Sequence, residues 1–121
     1  MSNDNIPQID GFDIDEALHR LRGKWPRLKQ FIISFANSNE SIDEELVELL
    51  EENRYGDAQR LMHSAKGAAA NIGATAFSRV AQSIELTLKE GGTEIGAEDL
   101  VELSIQVAHL TTVSEELLQE E

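Results

Sequence analysis

The stretch LMHSAKGAAANIG, residues 61–73, predicts a single helix with one apolar side. At about 100° of rotation per residue, four of its apolar side chains fall within about 60° of one another: Leu61, Ala65, Ala68 and Ile72. His63 lies almost opposite this stripe. Its neighbours on that side are Lys66, Gly67 and Ala70. Because they are a cation and residues with little or no side chain, a bulky partner has room to reach the imidazole.

The sequence on both sides of this stretch predicts further amphipathic helices. Asp13 and Glu16 form a capping-box pattern that starts a short helix, which ends at Gly23. Gly73 is the expected left-handed residue that ends the helix carrying His63. Apolar residues at helical spacing then predict a helix over about 75–89. After a glycine-containing loop, a last helix is expected over about 97–119.

Residues 25–53 pose a question of helix continuity. Asn37 and Asn39 are poor helix formers, and Ser41 with Glu44 would cap a new helix. Helical phase argues the other way, because seven positions alternate in steps of four and three without slipping: Leu28, Ile32, Phe35, Asn39, Ile42, Leu46 and Leu49. We therefore predict one long helix over about 25–53, bent or frayed near Asn39.

These elements predict an all-α fold, since no period-two run suggests a strand. Long amphipathic helices joined mainly by short links favour an antiparallel up-down-up-down four-helix bundle, with the short additional N-terminal helix packed across one end. Residues 1–10 are expected to be a flexible lead-in, and residues 11–121 to form the bundle domain.

Composition excludes several classes of function. The net charge of −13 disfavours nucleic acid and anionic membrane surfaces as partners. There is no apolar run long enough for a bilayer and no signal-peptide pattern at the start, so we expect a cytoplasmic protein. The absence of cysteine excludes thiolate chemistry. Neither His19 nor His109 has a His, Asp or Glu three or four positions after it, so no metal site is expected.

The segment around His63 resembles the signature of histidine-containing phosphotransfer (HPt) domains. Lys66 and Gly67 follow His63 at the spacing of that family, and Gly73 falls where the family keeps a second glycine. Glu85 lies in the next helix, where the family usually carries Gln or Glu. The resemblance extends over about residues 12–118. One departure is Ala65, where the family favours Leu, and this should reduce local packing only.

The resemblance implies a role for each of these residues. His63 would be the phosphoacceptor, attacking through Nε2 while its imidazole is neutral. Lys66 would offset the charge of the phosphoryl oxygens. Gly67 would give steric access, which explains a residue that costs a helix about 1 kcal/mol relative to Ala, and Ala70 would extend that clearance. Glu85 would accept a hydrogen bond from the other ring nitrogen and orient the ring.

The resemblance also implies the partners. An HPt domain takes a phosphoryl group from an aspartyl phosphate of a receiver domain, such as that of a hybrid sensor histidine kinase, and passes it to a response-regulator receiver. We expect a monomeric phosphocarrier and not an enzyme, with no cofactor of its own and with Mg²⁺ supplied by the receiver. Receiver choice is expected to depend on residues around His63: Arg60, Met62, Ala70, Asn71 and Arg79.

Two other classes of function stay open at this stage. The chain would be an adaptor if it used the phosphotransfer fold to bind a receiver or kinase without carrying phosphate. It would be the phosphoacceptor domain of a chemotaxis-type kinase if a separate catalytic domain labelled it from ATP.

Overall fold

The computed structural model describes residues 6–119, which form a helical bundle and contain no β-strand. The described helices are α1 Ile14–Arg20, α2 Trp25–Ser38, α3 Ile42–Glu51, α4 Tyr55–Asn71, α5 Thr75–Lys89 and α6 Ala97–Gln119. Helix α5 packs along α4 and against α6, α2 packs against α6, and α3 packs against both α4 and α6. The predicted all-α class is confirmed.

The continuous helix predicted over 25–53 is wrong, because the chain leaves α-helical geometry at residues 39–41. The backbone N–H and the side-chain Nδ2 of Asn39 both donate to the Phe35 carbonyl, at 3.1 and 2.8 Å. The Ile42 N–H then donates to the Asn39 carbonyl at 3.2 Å, one residue short of the α-helical partner. Low helix propensity therefore decides the break. The apolar phase survives it, since Phe35 and Ile42 are both buried.

The buried apolar side chains form one continuous core between the helices. Phe35 of α2 and Phe77 of α5 meet edge to face, with ring centroids 5.2 Å apart and planes at 86°. The largest side chains with almost no exposed surface come from five helices: Leu28, Ile32, Ile42, Leu46, Met62, Phe77, Ile84 and Leu103. This core fixes the rotation of α4 and α5 about their axes, and so fixes which side chains they present to solvent.

The inward face of α4 differs from the predicted stripe. Ala65 and Ile72 are buried as expected, but Ala68 is exposed and Leu61 is only partly buried. Other residues complete the buried face: Ala58, Met62 and Ala69. Alanines occur on every side of this helix, so they indicate its buried face poorly. The stripe predicted from residues 61–73 is therefore rotated about the helix axis by about 50° from the buried face.

Helix α1 is fixed to the turn between α4 and α5. Asp13 caps α1 by accepting a hydrogen bond from the Glu16 N–H at 3.1 Å, and its own N–H donates to the Gly73 carbonyl at 2.7 Å. Gly73 has φ +76, as predicted for the residue that ends α4. A Cβ there would lie 2.5 Å from the Asp13 carbonyl oxygen. Glycine thus permits both the turn and the close approach of α1.

The predicted lead-in lies partly outside the described residues, at positions 1–5. From position 6 the chain is not helical, but Ile6 and Ile9 are partly buried against the core. The Asp10 carbonyl oxygen lies 2.7 Å from Nε2 of His109 on α6. The flexibility of residues 1–10 stays a prediction. Over residues 6–119, each helix is too short or too polar to cross a membrane.

Candidate functional site

His63 projects from the side of α4 that faces away from the core. Its neighbour Met62 is completely buried, whereas 67% of the His63 side chain is exposed. The adjacent positions Ser64 and Gly67 are also exposed. A Cβ added to Gly67 would meet nothing within 4 Å outside its own helix backbone. The imidazole therefore stands on an open surface that a large partner can approach.

Glu85 of α5 connects His63 to Lys66. Its carboxylate is buried, with 8% of the side chain exposed. One carboxylate oxygen, Oε2, lies 2.7 Å from Nδ1 of His63. The other, Oε1, accepts a hydrogen bond of 2.6 Å from Nζ of Lys66, whose side chain is 28% exposed. Helices α4 and α5 thus hold an imidazole, a carboxylate and an ammonium group in one cluster.

The charge on Glu85 determines which nitrogen of His63 carries a proton. The hydrogen bond from the Lys66 ammonium lowers the pKa of Glu85, and the His63 bond lowers it further, while burial opposes both by raising it. The carboxylate is therefore ionised at neutral pH and can only accept hydrogen bonds. Because Nδ1 of His63 must then be the donor, the lone pair of the neutral ring lies on Nε2.

The predicted charge offset by Lys66 has to be reconciled with its bond to Glu85. An ammonium group has three N–H donors, and the Glu85 bond uses one of them. The ammonium group therefore keeps two donors for other acceptors. The sequence did not reveal the Lys66–Glu85 bond, since the two residues are separated by 19 positions and only the packing of α4 on α5 brings them together.

The residues predicted to select a partner differ in exposure. Arg60, Ala70, Asn71 and Arg79 are all exposed. The prediction for Met62 is wrong, because this side chain is part of the core and has no exposed surface. The error has the same cause as the rotated stripe, since Met62 lies within the true inward face of α4. Arg60 forms an ion pair with Asp57 one turn before it.

The structure also brings in a residue that the sequence analysis missed. Nη2 of Arg20, in α1, donates to the Ala70 carbonyl at 2.9 Å. Arg20 therefore lies beside the same helix as His63, although 50 positions separate it from Ala70 in the chain. No local sequence pattern signals this contact, because it depends on how α1 packs on the α4–α5 turn.

As for metals, residues 6–119 contain no group of three His, Asp or Glu side chains placed to hold an ion.

Comparison with protein families identifies a match over most of the chain. The family model described as "Hpt domain" matches residues 30–120, which include most of α2 and all of α3 to α6. His63, Lys66, Gly67 and Glu85 all lie within the matched range. Neither a curated protein nor a solved structure matches the chain significantly.

Proposed function

This chain belongs to the Hpt domain family, which carries phosphoryl groups on histidine in two-component signalling, and from that premise we propose that it is a phosphorelay intermediate. In this proposal His63 accepts a phosphoryl group from an aspartyl phosphate of a receiver domain and passes it to the receiver of another response regulator. The observation that carries the proposal is an exposed imidazole whose Nδ1 is bonded to a buried, ionised carboxylate.

The transfer step follows from that arrangement. The Nε2 lone pair of His63 attacks the phosphorus atom, and an N–P bond forms while the P–O bond to the aspartyl carbonyl group breaks. The aspartate leaves as a carboxylate with the electron pair of that bond. The imidazole keeps its Nδ1 proton and becomes positively charged, and Glu85 stabilises that charge through the 2.7 Å contact. Transfer to the next receiver reverses these changes.

Lys66 and Gly67 complete the proposed site. The free donors of Lys66 would bind phosphoryl oxygens as the group arrives, which offsets their negative charge. The open space beside Gly67 would admit the loops of the receiver. We propose that the receiver supplies Mg²⁺ and the aspartate, and that this chain acts as a carrier with no cofactor and no kinase activity of its own.

The proposal also covers the arrangement of the helices, the oligomeric state, the location and the upstream partner. We propose that α2 and α3 together serve as one bundle helix, so that they form an antiparallel up-down-up-down four-helix bundle with α4, α5 and α6. The retained apolar phase across residues 39–41 supports this arrangement. We further propose a monomeric, cytoplasmic protein whose upstream partner is a hybrid sensor histidine kinase.

Phosphotransfer profiling tests the function. Receiver domains from the same genome are charged with acetyl phosphate and mixed with the protein, and the label on the protein is followed over time. We expect rapid equilibration with one or a few receivers and no label on His63→Gln, which should keep the helicity of the wild type because His63 is mostly exposed and Lys66 still bonds to Glu85.

Two results would replace the proposal with another function. A receiver that binds equally well to wild type and His63→Ala, with no label passing to either, would indicate an adaptor. Labelling from ATP by a separate kinase domain, with none from any charged receiver, would indicate the phosphoacceptor domain of a chemotaxis-type kinase.

A further inference from the structure

A groove beside the proposed phosphoacceptor lies between α1, α4 and α5, and Arg20, Ala70 and Arg79 line it. Ala70 follows His63 by seven residues. It therefore lies within about 20° of His63 around the helix and about 10 Å further along the axis. The groove is thus a direct continuation of the face that displays His63.

Arg20 is held in place at the wall that α1 contributes. Its Nη2 donates both to Oε1 of Glu16, at 2.5 Å, and to the Ala70 carbonyl, at 2.9 Å. Both bonds use one end of the guanidinium group, so the Nε and Nη1 donors remain for another ligand. Two bonds on one nitrogen restrict the rotation of the side chain, which reduces the entropy lost when a partner binds.

The helix that carries Arg20 is itself fixed. Ala17 has no exposed surface, and Ile14 is 4% exposed. At the start of α1, the Asp13 N–H bonds to the Gly73 carbonyl at 2.7 Å. Arg20 is thus presented by an element that packs on the α4–α5 turn.

Arg79, in α5, also lines the groove. It is exposed, and among residues 6–119 it has no hydrogen-bond or ion-pair partner. Glu16 balances one of the two arginine charges, so the groove keeps a net positive charge in a chain whose net charge is −13. A local positive site of this kind attracts an anionic group on a partner.

We infer that Arg20 and Arg79 form a specificity site for an acidic side chain on the surface of the receiver, next to the phosphoryl-transfer site. The inference rests on the proposed function and adds to it a contact from α1. The arginines act by positioning the receiver and do not touch the reacting atoms. They should therefore affect how tightly the receiver binds and not how fast the phosphoryl group moves once it is bound.

The test uses the full chain and the receiver that equilibrates fastest with the wild type. Transfer rates are measured against receiver concentration for wild type, Arg20→Gln and Arg79→Gln, at two salt concentrations. Loss of either arginine should raise KM by roughly two- to fivefold at low salt, the upper part of the range typical of exposed charge pairs, with kcat unchanged. The salt dependence of KM should also become weaker.

Arg27→Gln is the matched control. It removes the same charge from an exposed arginine on α2 that does not line the groove, and its KM should stay within twofold of the wild type. Arg79→Gln breaks no described contact, so it gives an answer even if Arg20→Gln loosens α1.

Unchanged KM values in Arg79→Gln and Arg20→Gln would overturn the inference, and so would equal increases in all three variants. These outcomes differ from failure of the proposed function, in which no receiver would label even the wild-type chain.

Discussion

Glu85 bonds to two groups that have different tasks at the proposed site. Burying a carboxylate is costly unless charged or polar partners compensate it, and here Lys66 and His63 each contribute a short contact. The ionised carboxylate fixes the Nδ1 tautomer of His63 and holds the ring by one edge. The other edge is free to react, so one residue determines both the orientation and the protonation of the nucleophile.

The lowered pKa of Glu85 predicts how stability changes with pH. Lys66 and, less strongly, His63 lower this pKa below the ordinary value of 4.5 in the folded chain, so near that pH the unfolded chain binds more protons. The stability that Glu85 contributes is present above pH 4.5 and is lost as the pH falls through its lowered pKa. We expect the difference in unfolding free energy between wild type and Glu85→Gln to shrink below pH 4.5.

Urea denaturation over a series of pH values measures that difference. Glu44→Gln, which removes an exposed carboxylate from α3, controls for the change in net charge. A difference for Glu85→Gln that is the same at neutral pH and well below pH 4.5 would show that the carboxylate is not held in its ionised form as described.

Substitutions at Gly67 should affect helix stability and access to His63 in different ways. Because a Cβ at this position meets nothing within 4 Å, Gly67→Ala should stabilise the fold by about 0.4–1 kcal/mol. Gly67→Gln should also fold, but its longer side chain would occupy the space beside the imidazole and slow transfer from a receiver by at least about tenfold. Thermal melts and transfer rates on the same samples separate the two effects. Normal transfer by Gly67→Gln would contradict the proposed role of Gly67.

At the scale of the elements, the α4–α5 hairpin forms the site. The two helices are joined by residues 72–74, and this short link places Glu85 beside His63 and Lys66. Gly73 controls the link, because it both ends α4 and admits α1 against the turn. A change of backbone conformation at Gly73 would therefore alter both the site and the groove, because it would change the relative placement of α1, α4 and α5.

A pair of glycine substitutions isolates that close approach. Gly73 and Gly23 both have φ +76, but only at Gly73 would a Cβ meet another segment, 2.5 Å from the Asp13 carbonyl oxygen. Gly23→Ala should cost about 1–2 kcal/mol, the strain of a left-handed residue. Gly73→Ala should cost at least about 1 kcal/mol more, since backbone must move. Equal losses in urea denaturation would show that α1 does not press on the turn.

Helix phase could be predicted where large apolar residues set it and not where alanines did. The predicted ranges 75–89 and 97–119 agree with α5 and α6, because Phe, Val, Ile and Leu mark their inward faces. In α4 the phase rests mainly on alanines, and the prediction misplaced Met62. At Asn39 the helical phase is preserved across a short break, so an unbroken phase does not establish a continuous helix.

Only part of the candidate site could be predicted from the sequence. His63, Lys66 and Gly67 lie within two turns of one helix, and a local pattern was enough to single them out. The proximity of Lys66 to Glu85 and the presence of Arg20 beside Ala70 depend on packing between helices far apart in sequence. A single sequence contains no local signal for such contacts.

For the molecule as a whole, the surface is mostly acidic, with a positive region around His63. Most of the chain is acidic, with a net charge of −13, which favours solubility and repels anionic partners at a distance. Three basic residues near His63 provide a positive region: Arg20, Lys66 and Arg79. A partner that carries an aspartyl phosphate is therefore expected to approach by this face.

The central claim is that Nε2 of His63 receives the phosphoryl group from a receiver. The chain has three histidines, and NMR of the ¹⁵N-histidine-labelled protein after transfer reports which ring nitrogen is bonded to phosphorus. We expect a single phosphorus–nitrogen coupling, at Nε2 of His63, which is absent from His63→Gln. Phosphorus on Nδ1 of His63, or on His19 or His109, would contradict it.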